Sequence, residues 1–210
     1  MNYDEEYFID ISRYFPFNYF FPLTKKISPL ESFVLKTIQA KEELFAWKRK
    51  KFLKDLGVKS VLDVGCSSGE LVKSLLSDKI DAYGVDISNF QINRLSKKYN
   101  KRFLTASANN LPFPDKKIDA VTAFHLLEHI PENEISDTLG EFARVSNSFI
   151  LIELPTSQCI NAKTDPTHIS VFSNDKWLRI IKQELGHHWE FKRIRRATPI
   201  TPLFLILNRK

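Results

Sequence analysis

From Ser60 onward, short runs rich in Val, Ile, Leu and Phe alternate with longer stretches in which apolar residues return every third or fourth position. The short runs predict strands at 60–64, 82–85, 102–105, 118–123, 148–154, 191–195 and 203–207. Helical punctuation fills the intervals. Ser88 with Gln91 reads as a capping box, Pro131 precedes the stripe Ile135, Leu139, Phe142 and Ala143, and Ser173 caps a segment that runs to Gly186. Strands separated by helices call for a parallel sheet covered on both faces, because each crossover carries the chain back over the sheet. After Gly186 only "RRATPITP" separates the last two strands, too short for a helical crossover, so that pair is expected to run antiparallel. The pattern predicts an α/β fold, a doubly wound seven-stranded sheet with helices on both faces.

Upstream the pattern changes. Ser28 as N-cap, Pro29 at the first helical position and Glu31 open a helix whose apolar residues Leu30, Phe33, Val34 and Ile38 recur at helical spacing. Phe52, Leu53 and Leu56 close it, and Gly57 is the expected stop. Before it lies "YFIDISRYFPFNYFFP", interrupted by Pro16 and Pro22 and expected to pack as a lid, with Tyr14, Tyr19 and Trp47 as candidates to line a pocket. The reading divides the chain into a helical and aromatic extension, 1–56, and the sheet domain, 57–210.

Composition narrows the setting. With 43% hydrophobic and 27% charged residues, and no apolar run near the roughly 18 residues that span a bilayer, the chain reads as soluble and without a membrane partner. It opens with Asp4, Glu5 and Glu6 rather than a basic, then apolar, targeting segment, so a cytoplasmic location is expected. Two cysteines, Cys66 and Cys159, are too few for a disulfide framework and fit a reducing compartment. The net charge of +6 is concentrated in 48–54 and 192–196. Neither cluster is interleaved with aromatics in the nucleic-acid manner, so both read as solvated faces and nucleic acid is not the expected partner.

One stretch breaks the apolar rhythm to different effect. "SVLDVGCSSGE", Ser60 to Glu70, ends a buried strand at a carboxylate and then places Gly65 and Gly69 four apart. In a doubly wound sheet the ligand lies at the carboxyl ends of the strands, and glycines in the first strand-to-helix turn let it approach the backbone. Twenty-one residues past Gly65, Asp86 ends the second strand in "AYGVDIS", the distance at which an acid accepts hydrogen bonds from a ribose diol. The dinucleotide fingerprint G-x-G-x-x-G is absent, which disfavours NAD. Asp63 would oppose a pyrophosphate and favour an ammonium group. A ligand with a cationic end and a bare ribose is required, and S-adenosyl-L-methionine has both.

"VLDVGCSSGE", "YGVDIS", "ASANNLPFPDKKIDAV" and "AFHLLEHI" resemble the successive motifs of class I S-adenosylmethionine-dependent methyltransferases, whose fold is Rossmann-like, and "TDPTHISVFS" resembles a segment of members that methylate small molecules or sugars. The resemblance implies that Asp63, Gly65, Cys66, Ser67 and Gly69 cradle the methionine portion and that Asp86 holds the ribose with Ile87 against adenine. It further implies that Ser107 and Ala108 flank the adenine amino group, and that His125 and Leu126 lie under the methionine and sulfonium. The family often has glycine at the place of Ser67 and aspartate at that of Ser107.

Methyl transfer is an in-line displacement at an activated carbon, so positioning and water exclusion dominate, and a base helps where the acceptor is a hydroxyl. "HLLEHI" offers His125, Glu128 and His129; "DPTHISVFS" offers Asp165 and His168. His168 is the preferred proton acceptor, with His129 and Asp165 as further catalytic candidates. The string H-L-L-E-H also matches the H-x-x-E-H pattern of inverted zinc peptidases, which needs both histidines on one long helix. Here the string abuts a strand and precedes Pro131, so no metal is assigned and Glu128 and His129 are read as bracing the loop or the following helix. The expected activity is transfer of a methyl group to oxygen or nitrogen of a small-molecule or sugar-bearing substrate. The alternatives are a non-catalytic binder of the cofactor, and an RNA methyltransferase guided by the basic clusters.

Overall fold

The computed structural model describes residues 29–99, 101–163 and 165–210, and the side chains of 29–39, 41, 161 and 163 are not described. The Ser28 cap, Tyr14, Tyr19 and the aromatic stretch lie outside the described residues, as do the side chains of Glu31, Leu30, Phe33, Val34 and Ile38.

Twelve elements frame the described chain. A long helix, α1 (Pro29–Asp55), is followed by β1 (Ser60–Val64), α2 (Glu70–Ser77), β2 (Asp81–Asp86), α3 (Asn89–Ser96) and β3 (Phe103–Thr105). Then come β4 (Ile118–Phe124), α4 (Ile135–Val145), β5 (Ser146–Leu154), α5 (Asn174–Leu185), β6 (Trp189–Arg195) and β7 (Leu203–Arg209). The sheet runs β3-β2-β1-β4-β5-β7-β6, parallel as far as β5, with β7 antiparallel to both β5 and β6. All seven expected strands are present, with β2, β5 and β6 beginning one or two residues earlier than the hydrophobic pattern suggested. Ser146 accounts for one such extension: it is polar but buried, and its Oγ donates to the Phe149 carbonyl at 2.7 Å.

Alternation along the strands sorts side chains onto two faces. Leu62, Val121, Ile150, Ile152 and Leu205 pack beneath α4 and α5, against Leu139, Phe142, Trp177 and Ile181. Val61, Ala120, Leu151 and Ile206 face α1, α2 and α3, against Leu53, Val72, Leu75 and Ile92. The second half of α1 therefore belongs to the core of the sheet: Ala46 is 4% exposed and Leu53 fully buried. Trp47 points the other way and is 52% exposed. Lys50 and Lys54 of α1 pair with Asp78 at the end of α2.

Caps sit where the sequence puts them. Ser88 Oγ accepts from Gln91 N–H, and Ser173 Oγ accepts from Lys176 N–H. The helix expected after Pro131 begins as a single 3-10 turn, Glu132–Glu134, before α4 takes over. The strand order reverses between β1 and β4, and the carboxyl ends of these strands make the crevice in which a doubly wound sheet takes its ligand. Among the described residues no helix is long and apolar enough to cross a membrane.

Candidate active site

The turn after β1 is held by the backbone of the neighbouring strand. Gly65 N–H and Cys66 N–H both donate to the Val85 carbonyl, at 2.8 and 3.0 Å. Gly65 and Gly69 have φ of +75° and +73°, and Ser67 between them has +44°. The sequence reading gave the two glycines to an approaching ligand; the fold uses the space itself. A Cβ on Gly65 would stand 2.9 Å from Leu126 Cδ1, and one on Gly69 would stand 2.6 Å from the Phe103 ring. Cys66 lines the turn through its backbone, while its thiol is buried against Gly84 of β2.

Asp86 closes the turn from the other side. Ser67 N–H donates to its Oδ2 and Ser88 N–H to its Oδ1, each at 2.9 Å. Burial raises its pKa, with these amides working in the opposite direction. Two anchored oxygens with lone pairs to spare suit a pair of vicinal hydroxyls. Beside it Ile87 is 57% exposed, an apolar surface at the rim on which a flat ring can lie. The following strand brings the adenine candidates close: Ala106 N–H donates to the Asp86 carbonyl at 3.2 Å, Ser107 is half-buried and Ala108 buried.

Asp63 sits one strand over, paired in register with Gly84 on one side and Thr122 on the other. It is only 6% exposed, and Thr122 Oγ1 donates to Oδ1 at 2.7 Å. Desolvation lifts its pKa to about 6 despite the Thr122 bond and the charge of Arg49, and the charge of Asp86 adds to the rise. A buried acid raised this far gains from any cationic group brought beside it.

At the end of β4, His125 adopts φ of +55° and donates its backbone N–H to the Glu153 carbonyl at 2.7 Å. Its ring lies between two acids, Nδ1 at 3.2 Å from Glu128 Oε1 and Nε2 at 3.5 Å from Glu153 Oε1. Desolvation disfavours the charged ring, but the two acids outweigh it and raise the pKa to about 9. For Glu153 burial likewise opposes ionisation, and His125 and Arg49 overcome it, bringing the carboxyl down to about 2. Leu126 is half-buried against Gly65, so the β1 and β4 turns touch.

The structure brings the three catalytic candidates together. His129 Nδ1 lies 3.1 Å from the Thr167 carbonyl and 3.0 Å from Thr167 Oγ1. His168 Nδ1 lies 2.8 Å from the Ala162 carbonyl, its Nε2 3.6 Å from Asp165 Oδ2, and the two imidazoles meet edge to face with centroids 4.8 Å apart. Burial lowers the pKa of His129. The His168 side chain is only 10% exposed, which is the situation of a held group more than of a base facing open solvent. Leu127–His129 is a single 3-10 turn, so His125 and His129 share no helix face.

Residues 61–148 match the family model of a methyltransferase domain. Over 80 residues it is 31% identical to 27-O-demethylrifamycin SV methyltransferase of Amycolatopsis mediterranei, a match covering 34% of this chain and 29% of that protein. Over 93 residues it is 31% identical to an O-methyltransferase of Aspergillus nomiae, covering 40% of each chain. The matched stretch thus spans well under half the length of these curated relatives. Among solved structures, magnesium protoporphyrin IX methyltransferase of Synechocystis with bound SAH superposes with a TM-score of 0.68 at 16% identity, covering 99% of this chain and 96% of that one. A SAM-dependent methyltransferase from Archaeoglobus fulgidus gives 0.61 at 20% identity, covering 79% and 94%. At these identities the superpositions show the fold.

Three residues at the mouth of this crevice were not singled out from the sequence. Glu42 of α1 accepts from Ser68 Oγ at 2.9 Å, and Arg49 of α1 pairs with Glu153 at 2.8 Å while lying over the Phe124 ring. Glu153 was visible in principle, since an acid near the carboxyl end of the apolar run "FILIEL" repeats the placement of Asp63 and Asp86. Arg49 was not: it is one of five cations between Lys48 and Lys54, and nothing local separates it from the solvated ones.

Proposed function

We propose that this chain transfers a methyl group from S-adenosyl-L-methionine to an oxygen or nitrogen of a small-molecule or sugar-bearing acceptor. The observation that carries the proposal is the pair of acids at adjacent strand ends, buried Asp63 and half-buried Asp86, on either side of the Gly65–Gly69 turn. Asp86 takes the ribose diol, Asp63 takes the ammonium group directly or through water, and Ile87, Ser107 and Ala108 receive adenine. Solved structures of the same fold hold SAH or SAM, which supports that choice of ligand. Curated relatives named for transfer to an oxygen support an oxygen acceptor first.

His125, paired with Glu128 and Glu153, fixes the β4 turn beside the methionine portion. On the acceptor side stand His129, His168 and Asp165, where a hydroxyl acceptor loses its proton as the C–S bond breaks and the C–O bond forms. Holding the acceptor in line with that bond supplies most of the acceleration.

The reading is tested by incubating the full chain with methyl-labelled S-adenosylmethionine and a panel of hydroxylated and amino small molecules, sugars and short RNA. Label is expected in an oxygen- or nitrogen-bearing small molecule. Binding of the cofactor without transfer to any of them contradicts the enzyme and favours the non-catalytic binder, and label only in RNA contradicts the substrate class.

A further inference from the structure

Glu128 carries an oxygen that the fold does not satisfy. Its side chain is fully buried, Oε1 faces His125 Nδ1 at 3.2 Å, and Oε2 has no hydrogen-bond partner among the described residues. Leaving a buried carboxylate oxygen unmet costs more than an ordinary hydrogen bond contributes, so a partner is expected there. Two imidazoles share the space: donor atoms of Glu128, His129 and His168 lie within 4.8 Å of one another.

The surrounding hydrogen bonds decide which ring nitrogens carry protons. Thr167 Oγ1 gives its only proton to Asp165 Oδ1 at 2.5 Å, so both Thr167 oxygens beside His129 Nδ1 can only accept. His129 therefore holds its proton on Nδ1. His168 Nδ1 likewise donates to the Ala162 carbonyl. A ring that binds a metal is neutral and offers the lone pair of its other nitrogen, here Nε2, and that of His168 lies 3.6 Å from Asp165 Oδ2. A lone pair facing a carboxylate oxygen is repulsive unless a proton or a metal cation stands between them, and the unmet Glu128 oxygen beside the same rings favours the metal. Imidazoles that bind metals are held in this way, one nitrogen donating to a carbonyl and the other turned to the ion.

We propose that Glu128 Oε2 and the Nε2 atoms of His129 and His168 form a binding site for a divalent cation of the zinc type, with Asp165 Oδ2 in reach as a further donor. Two nitrogen donors disfavour magnesium and calcium, which take oxygen shells, whereas two imidazoles and a carboxylate are a set that zinc accepts with a position left for water or substrate. The donors differ from those of the H-x-x-E-H reading: His125 is the outer partner of Glu128, and His168 enters from the β5–α5 connection. The inference goes beyond methyl transfer, since the ion can bind whatever the acceptor is. Once it binds, His129 and His168 are ligands instead of bases, and an acceptor hydroxyl in the remaining position is acidified by coordination.

The test uses the full chain, stripped with a chelator, carrying ring-nitrogen-labelled histidine and titrated with zinc chloride. Calorimetry is expected to show uptake of one equivalent, and nuclear magnetic resonance a shift of the Nε2 signals of two rings. Glu128→Gln and His168→Asn are expected to weaken uptake by at least about tenfold, whereas joint replacement of His187 and His188 by Ala leaves it unchanged. Absence of uptake, uptake without movement of two Nε2 signals, or folded Glu128→Gln and His168→Asn variants that bind as the parent does would each overturn the proposal. The resonance measurement needs no variant, so a misfolded substitution cannot hide the answer. Neither arm reads methyl transfer, so failure here is distinct from failure of the enzyme assignment.

Discussion

Replacing Asp63 by Asn separates what the residue does for the fold from what it does for the ligand. Asp63 is buried, and its carboxyl is pushed from 3.8 to about 6, mainly by desolvation. A carboxyl whose folded pKa is raised makes the folded state bind the proton more tightly, so stability falls as pH rises from 3.8 to about 6 and the full cost remains above that. At about 1.4 kcal/mol per pH unit over that interval, ionised Asp63 costs the fold about 3 kcal/mol near neutrality. Asn keeps an oxygen for the Thr122 hydroxyl and carries no charge, so Asp63→Asn should stabilise the ligand-free chain at about pH 7.5 by about 1–3 kcal/mol, raising Tm by about 3–10 °C. The gap should close as pH falls from about 6 toward about 4. The same substitution removes the partner of the ammonium group and should weaken S-adenosylhomocysteine binding by about 10- to 1,000-fold. Melting curves of both proteins across this pH range, with calorimetry on each, check the pair of effects. A variant that melts no higher than the parent near neutrality, or that binds as tightly, would refute the reasoning.

Further expectations concern the frame around that acid. Asp86→Ala removes the acceptor of two backbone amides as well as the proposed diol contact, and cofactor affinity measured by calorimetry should fall by about 100-fold or more. Gly69→Ala drives a Cβ into the Phe103 ring at a positive φ, and urea titration should show a loss of about 1–3 kcal/mol. Leu53→Ala opens a cavity between α1 and the sheet, and the same titration should show a loss of about 2–5 kcal/mol; a loss near zero would mean that α1 does not share the sheet's core.

Much of this was legible in the chain because it is local. Most strands are short apolar runs, each of Ser88 and Ser173 caps the helix that follows it, and Asp63 and Asp86 each sit where an apolar run stops. What was hidden depends on long-range approach. His129 and Thr167 meet across 38 positions, Arg49 and Glu153 across 104, and no periodicity encodes either encounter. Glu128 read as a brace because its string abuts a strand and precedes Pro131; that the β4 turn buries it completely, beside His129 and His168, depends on a segment about 40 residues away. The glycines were recognised and their neighbours were not, since the Phe103 and Leu126 side chains that need the space come from other strands and turns.

Calorimetric titration of the full chain with S-adenosylhomocysteine, run beside NAD, tests the central claim most directly: two strand-end acids select a nucleoside with a cationic tail. The account predicts one binding site per chain for S-adenosylhomocysteine, abolished in Asp86→Ala, and no heat with NAD. Heat with NAD and none with S-adenosylhomocysteine would contradict it.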